Sequence, residues 1–401
     1  MLNEKQLERY AQVLLWGLDK ARKRKFKPND IVLIRYHLGA FRLAEILEAE
    51  ILQKGLMPVQ RISPTATMEK NFFEISSKKQ LLFIPPGEKE LYSNLNGAIF
   101  LFCPESITHL ADIPPKKIGR FTRSRKQLRN VLDSRDERGH FGWTLCMLPS
   151  DELAKHAGLT LETYSQQIVK ACFLNRKDPV AQWQNVYENA QKIKKWLNGQ
   201  SVSYYHVESN HIDLYIQPGE HRKWIGLSGH NIPSFELFLS PDWRGTKGVF
   251  YADQPSYRSG NYVEGVRLEF QRGSTVKIEA KSGQSFIREQ LSMDQGADKV
   301  GEFSLTDRRF SKISRFMANT LFDENFGGRH GNCHIALGSS YSDTYQGDPS
   351  KLTKEMKKEL GFNDSALHWD LVNTEKKRVT AHLKSGDQIV IYENGQFSNN
   401  P

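Results

Sequence analysis

Cysteine is scarce: Cys103, Cys146, Cys172 and Cys333 lie far apart in 401 residues and form no C-x-x-C pair. This excludes a disulfide-stapled scaffold and a cysteine-built zinc site, and it fits a reducing compartment. Long apolar runs are missing too, since no stretch approaches the roughly 20 residues of a membrane-spanning helix. The opening MLNEKQLERYAQ is polar and amphipathic, without a signal peptide's apolar core. The cytoplasm is therefore the expected location, and no membrane partner is expected. Nucleotide chemistry has no marker either: no G-x-G-x-x-G follows the first apolar run and no Walker-type loop occurs.

Charge is plentiful and unbalanced, with 56 Lys and Arg against 46 Asp and Glu, a net +10. A basic excess invites a nucleic-acid partner. The densest basic run, Lys116, Lys117, Arg120, Arg123, Arg125, Lys126 and Arg129, follows Pro114-Pro115 and carries one interleaved ring, Phe121. Single-strand binders stack bases on several such rings. A solvated helix face or loop is the expected role of this run, and nucleic-acid binding without catalysis is kept as an alternative.

The first half alternates between two periodicities. Leu7, Tyr10, Ala11, Leu14, Leu15 and Leu18 form one helical stripe, DIVLIRY is a continuous apolar run, and Phe41 to Lys54 is helical up to Gly55. MPVQRI, LLFIP, GAIFLFC and WTLCMLP continue the alternation, which predicts an α/β domain with an open, mostly parallel sheet. Asp178-Pro179 opens a long helix closed by Gly199, and the boundary is drawn there: 1–178 for the α/β domain, 179–401 for the second domain. Beyond Gly199 the pattern turns to period two, in SVSYYHVES, HIDLYIQP, WIGLSG, GVFYAD, VRLEFQRGSTVKIEA and VTAHLKSGDQIVIYENGQF. Arg272-Gly273 and Ser385-Gly386 mark hairpins, and helices are expected around 287–300 and 351–360. This half is predicted to be a strand-rich α+β catalytic domain.

Its chemistry gathers around TLFDENFGGRHGNCHIALGSSY, residues 320–341, which holds Asp323, Glu324, His330, Cys333, His334 and Tyr341 among glycines. Glu236 in NIPSFELF, Glu302 in GADKVGEFSL, and His368 with Asp370 in ALHWDLV extend the inventory. Two residues apart on a strand, His368 and Asp370 point to one side. Each group has an ordinary role open to it: Asp323 can cap its loop, His334 can be a satisfied core histidine, and Cys333 an inert buried thiol. His211 and Asp213 repeat the His-x-Asp spacing, so spacing alone decides nothing. Together Glu236, Glu302, Glu324 and Asp370 with His334 and His368 are the donor set that a pair of divalent cations about 3.5–4 Å apart requires, Zn, Co, Mn or Mg.

NIPSFELFLSPD, DQGADKVGEFSL, the 320–341 run and ALHWDLV resemble, in order and at compatible distances, the successive motifs of the thermophilic metallo-aminopeptidase family, which includes aminopeptidases T and S and aminopeptidase II. DPVAQW, the LN-G helix ending and HIDLYIQPG extend the similarity over nearly the whole chain. The resemblance implies a homodimer that releases N-terminal amino acids from peptides with a free N-terminus. It implies two metal ions held by Glu236, Glu302, Glu324, His334, His368 and Asp370, with Glu302 as the bridge and Tyr341 assisting catalysis. Glu236 is nominated to shuttle the proton. The family pattern N-x-P-T-x-E-V-F-T is altered here at Ser234, Leu237 and Leu239, beside the carboxylate. A two-metal hydrolase of another bond, such as a phosphoester served by Arg329, is the alternative enzyme.

Overall fold

The computed structural model describes residues 1–398. They form two compact units, residues 1–185 with 228–234, and residues 186–227 with 235 onward.

The first unit carries a five-stranded sheet of β1 (Ile31–Tyr36), β2 (Met57–Ile62), β3 (Gly97–Phe102), β4 (Gly142–Met147) and β5 (Asn231–Ile232), in the order β2-β1-β3-β4-β5. Every neighbouring pair is parallel. Parallel strands flanked by helices read as unbroken apolar runs, which is why DIVLIRY and GAIFLFC announce themselves. The helix Glu4–Ala21 starts where Asn3 and Gln6 form a reciprocal capping box, and it buries Leu7, Tyr10, Ala11, Leu14 and Leu18. LLFIP is not a strand. Ser77 caps the short helix Lys78–Leu81 through Gln80, and Pro85-Pro86 supply no N–H for a sheet ladder. The basic run lies on the helix Pro115–Glu137, where Arg125 packs over Phe121 and Lys117 reaches the Glu74 carbonyl.

The second unit holds an eight-stranded and a four-stranded sheet, both antiparallel. Arg272 and Gly273, at φ 49° and 79°, turn one hairpin as the sequence predicts, because paired left-handed residues match the twist of antiparallel strands. WIGLSG is irregular apart from one bridge, Ile225 to Phe238, since Gly226 (φ 136°) and Leu227 (φ 50°) break the ladder. The two inserted helices are shorter than the periodicity suggests, Gln284–Leu291 and Lys354–Glu359. The first begins early because Gly283 enters it left-handed, and it ends early because Asp294 turns the chain to bind the Ser365 hydroxyl and Ala366 N–H.

The four-stranded sheet is built from β6 (Glu236–Leu239), β7 (Val300–Thr306), β8 (Asn332–Gly338) and β9 (His368–Asn373), in the order β9-β8-β7-β6. Leu237, Leu239, Phe303, Leu305, Ile335, Leu337, Trp369 and Leu371, all buried, occupy its odd-numbered face. Within the described residues no helix is long and apolar enough to cross a membrane.

Candidate metal centre

Period two sends the even-numbered residues of these strands to the opposite face. There the register sets Glu302 opposite Ala336, Ala336 opposite Asp370, Ser304 opposite His334, Thr306 opposite Glu236 and Gly338 opposite His368. Ala336 and Gly338 are small, so the acids and imidazoles around them meet above the sheet. A bulge between Val300 and Glu302 re-aims the carboxylate, and it needs Gly301, where a Cβ would stand 2.3 Å from the Gly338 carbonyl oxygen.

His334 Nε2 lies 3.2 Å from Glu236 Oε2 and 3.2 Å from Glu302 Oε1, with Asp370 Oδ1 at 3.9 Å. His368 Nε2 lies 3.4 Å from Asp370 Oδ1 and 3.9 Å from Glu302 Oε2. Glu302 thus presents one oxygen to each imidazole. His368 is oriented by its Nδ1, 3.0 Å from the Ser339 carbonyl, which leaves Nε2 for the acids. Ligand atoms of Glu236, Glu302 and His334 all fall within 4.8 Å of one another.

Glu324 follows the single helical turn Thr320–Asp323. Its carbonyl accepts from Thr306 Oγ1 at 3.1 Å and Asn332 Nδ2 at 3.0 Å, tying this turn to β7 and β8. Asp323 has the structural part expected of it, accepting the Met317 and Asn319 N–H groups at 2.7 and 2.8 Å. Tyr341 lies beyond β8, its ring against His368 with centroids 4.9 Å apart, and its N–H donates to Ser240 Oγ at 2.8 Å.

The other histidines go elsewhere. His211 pairs with Glu375, Asp213 with His206, and His230 packs against Trp143 with the two rings tilted. Cys333, odd-numbered, sits buried on the apolar side of the sheet. Two neighbours escaped the sequence reading. Ser304 donates to Glu236 Oε2 at 3.0 Å, and Arg258 donates through Nη1 to the His368 carbonyl at 2.8 Å. Ser304 shares strand parity with Glu302, a signal that could have found it; nothing local marks Arg258.

Burial raises the Glu236 carboxyl to about 7, with Glu302 and Asp370 adding to the effect and His334 opposing it. Burial, then the charges of Glu236, Asp370 and Glu302, pushes Glu324 well above the carboxylate range. Against the pull of burial the neighbouring acids lift both His334 and His368 to about 9. The opposite sign appears at Asp370, where His368, His334 and Arg258 outweigh burial and hold the carboxyl at about 2. Tyr341 is pushed well up by burial and the four acids, and since 40 % of the residue is accessible, the acids are the cause to weigh more heavily.

Four acids crowded in apolar surroundings repel one another and bind protons they would otherwise release. Divalent cations relieve that repulsion, and oxygen with imidazole nitrogen is a donor set suited to them, so the residues fit a metal. A proton on either imidazole, or on Glu236, competes with a cation. Both rings are protonated below about 9 and Glu236 below about 7. Apparent affinity for Zn or Co should therefore climb between pH 6 and 9, with protons released on binding. Calorimetry in two buffers of different ionisation enthalpy measures this, and an affinity flat across that range would contradict it.

The family model described as thermophilic metalloprotease (M29) matches residues 3–397. The chain belongs to that family. Over 331 residues this M29 protein is 27 % identical to aminopeptidase AmpS of Bacillus subtilis (strain 168), covering 78 % of this chain and 79 % of the relative. To aminopeptidase T of Thermus thermophilus it is 26 % identical over 314 residues, 72 % of this chain and 73 % of the relative. The solved structure of wild-type AmpT from Thermus thermophilus matches with a TM-score of 0.80 over 99 % of this chain and 100 % of that one, at 20 % identity, a likeness of fold. An M29 enzyme requires a divalent metal, and Glu236, Glu302 and His334 form a group able to hold one.

Proposed function

We propose that this M29 enzyme is an aminopeptidase using two divalent cations, held by Glu236, Glu302, Glu324, His334, His368 and Asp370, to release single residues from peptides with a free N-terminus. The observation that carries the reading is the meeting of Glu236, Glu302, His334, His368 and Asp370 on one face of the four-stranded sheet. The relatives named aminopeptidase AmpS and aminopeptidase T supply the bond type. Glu302, with one oxygen toward His334 and the other toward His368, is placed where it would hold both cations. When bound, such a cation pair polarises the scissile carbonyl and lowers the pKa of water to about 7.

The side chains do the rest. Glu236 Oε2 is engaged by Ser304 and His334, so Oε1 carries the proton from water to the leaving amine. The Tyr341 hydroxyl, far from ionising, donates a hydrogen bond to the oxygen that becomes negative as the carbonyl is attacked. The homodimer implied by the resemblance belongs to the same proposal and is read by light scattering.

Dialysis against a chelator should abolish hydrolysis of leucyl-p-nitroanilide, and Co, Zn or Mn should restore it, while p-nitrophenyl phosphate stays uncleaved throughout. Full peptidase activity in exhaustively chelated protein would refute the metal mechanism. Metal-dependent phosphate release without anilide cleavage would move the reading to a phosphoester hydrolase.

A further inference from the structure

Tyr341 owes its place to two hydroxyls. β8 ends at Gly338, left-handed at φ 103°, and the chain leaves the sheet there, so among the described residues no strand pairs with Tyr341. Its N–H donates instead to Ser240 Oγ at 2.8 Å, and its carbonyl accepts from Thr344 Oγ1 at 2.8 Å. We propose that Ser240 and Thr344 are positioning residues for catalysis: by gripping the backbone of Tyr341 on both sides they set the aim of its phenol. The inference rests on the aminopeptidase reading and adds to it the residues that orient its hydrogen-bond donor.

Both hydroxyls are themselves fixed. Ser240, fully buried just beyond β6, has its carbonyl accepting from Arg222 Nε at 2.8 Å. Arg222 is anchored in turn by Nη2, which donates to the Leu360 carbonyl at 2.8 Å, and by its guanidinium, 3.3 Å from the centroid of the Phe362 ring. Thr344, also fully buried, ends the single turn Ser342–Thr344, and its carbonyl accepts from the Lys223 N–H at 2.8 Å. Farther on, the Gln346 N–H donates to the His221 carbonyl at 2.8 Å and its Nε2 to the Arg222 carbonyl at 2.9 Å. Residues 341–346 are thus laced to 221–223, and Arg222 and its neighbours support both hydroxyls.

The phenol has little else to direct it. Tyr341 is 40 % accessible, and among the described residues its hydroxyl has no hydrogen-bond partner. Its ring meets His368 and Phe238 with centroids 4.9 and 5.9 Å apart. Apolar burial is non-directional, whereas hydrogen bonds weaken steeply off their axis. Direction therefore comes from the backbone bonds. The phenol oxygen stands at the far end of the side chain, so a small backbone rotation is multiplied there. A donor to a developing oxyanion must be in place before the charge forms, and a misplacement of about 1 Å can cost about 10²-fold.

The test is steady-state kinetics of the metal-loaded enzyme on leucyl-p-nitroanilide. Ser240→Ala, and Thr344→Val with nearly the volume of threonine, should each lower kcat about tenfold, with KM and bound metal within about twofold of the wild type. The double-mutant cycle with Tyr341→Phe discriminates. With no hydroxyl left to aim, either substitution should change kcat by less than about twofold in that background. A purely structural role would cost the same factor in both backgrounds, and that result overturns the proposal, as does a wild-type kcat in the folded variants. Should Ser240→Ala fail to fold, Thr344→Val decides through the same cycle. A fully active Tyr341→Phe overturns the proposal while leaving the aminopeptidase reading intact. No hydrolysis of any aminoacyl anilide by metal-loaded wild type overturns both.

Discussion

Glu302→Gln lowers kcat/KM toward leucyl-p-nitroanilide by on the order of 10³-fold, about 4 kcal/mol of transition-state stabilisation. The amide keeps the size of the side chain but loses the charge and one of two equivalent oxygens. In the protein those oxygens are divided, Oε1 toward His334 at 3.2 Å and Oε2 toward His368 at 3.9 Å, so one carboxylate serves both halves of the cluster. Removing one unit of negative charge from this crowd also relieves the repulsion that raises Glu236 and Glu324, so the variant should fold at least as well as the wild type. Loss of activity in a more stable protein, with bound metal falling toward one ion per chain, separates a bridging role from a structural one. A fully active variant would place the bridge elsewhere.

Tyr341→Phe is the second large effect. Its phenol lies against His368 and in the field of Glu302, Asp370, Glu324 and Glu236, yet it is accessible enough to meet a substrate. Deleting one donor to a developing oxyanion costs about 10²–10³ in kcat. Because the bond strengthens only as charge develops, kcat should fall with KM nearly unchanged. The ring contacts with His368 and Phe238 survive the change, so metal content and stability should not move. An unaltered kcat would reduce Tyr341 to a packing residue.

Legibility in the sequence followed periodicity and failed with distance along the chain. DIVLIRY, GAIFLFC and the parallel fold they imply were readable because buried parallel strands need no partner's help to look apolar. LLFIP looked the same and is a helix end and turn; a pair of prolines was the warning. β5 is only two residues long and enters the first unit's sheet from residues 231–232, far beyond the Asp178 boundary, a pairing that no local pattern encodes.

The site followed the same rule. Glu236, Glu302, His334, His368 and Asp370 are all even-numbered on four neighbouring strands, but their shared face becomes visible only when the register between strands is fixed. The family resemblance grouped these residues in advance where local reading could not, because a lone buried histidine such as His334 has nothing in its neighbours to mark it out. Arg258 stayed hidden for the converse reason: its contact is to a backbone carbonyl 110 residues away.

Elemental analysis of the purified protein, reconstituted with Zn or Co and freed of unbound ions, tests the cation pair most directly. Two ions per chain, with activity that rises in step with the second, is the predicted result. A protein that cleaves aminoacyl anilides at full rate with no ion, or with a single ion lodged away from Glu302 and His334, would contradict it.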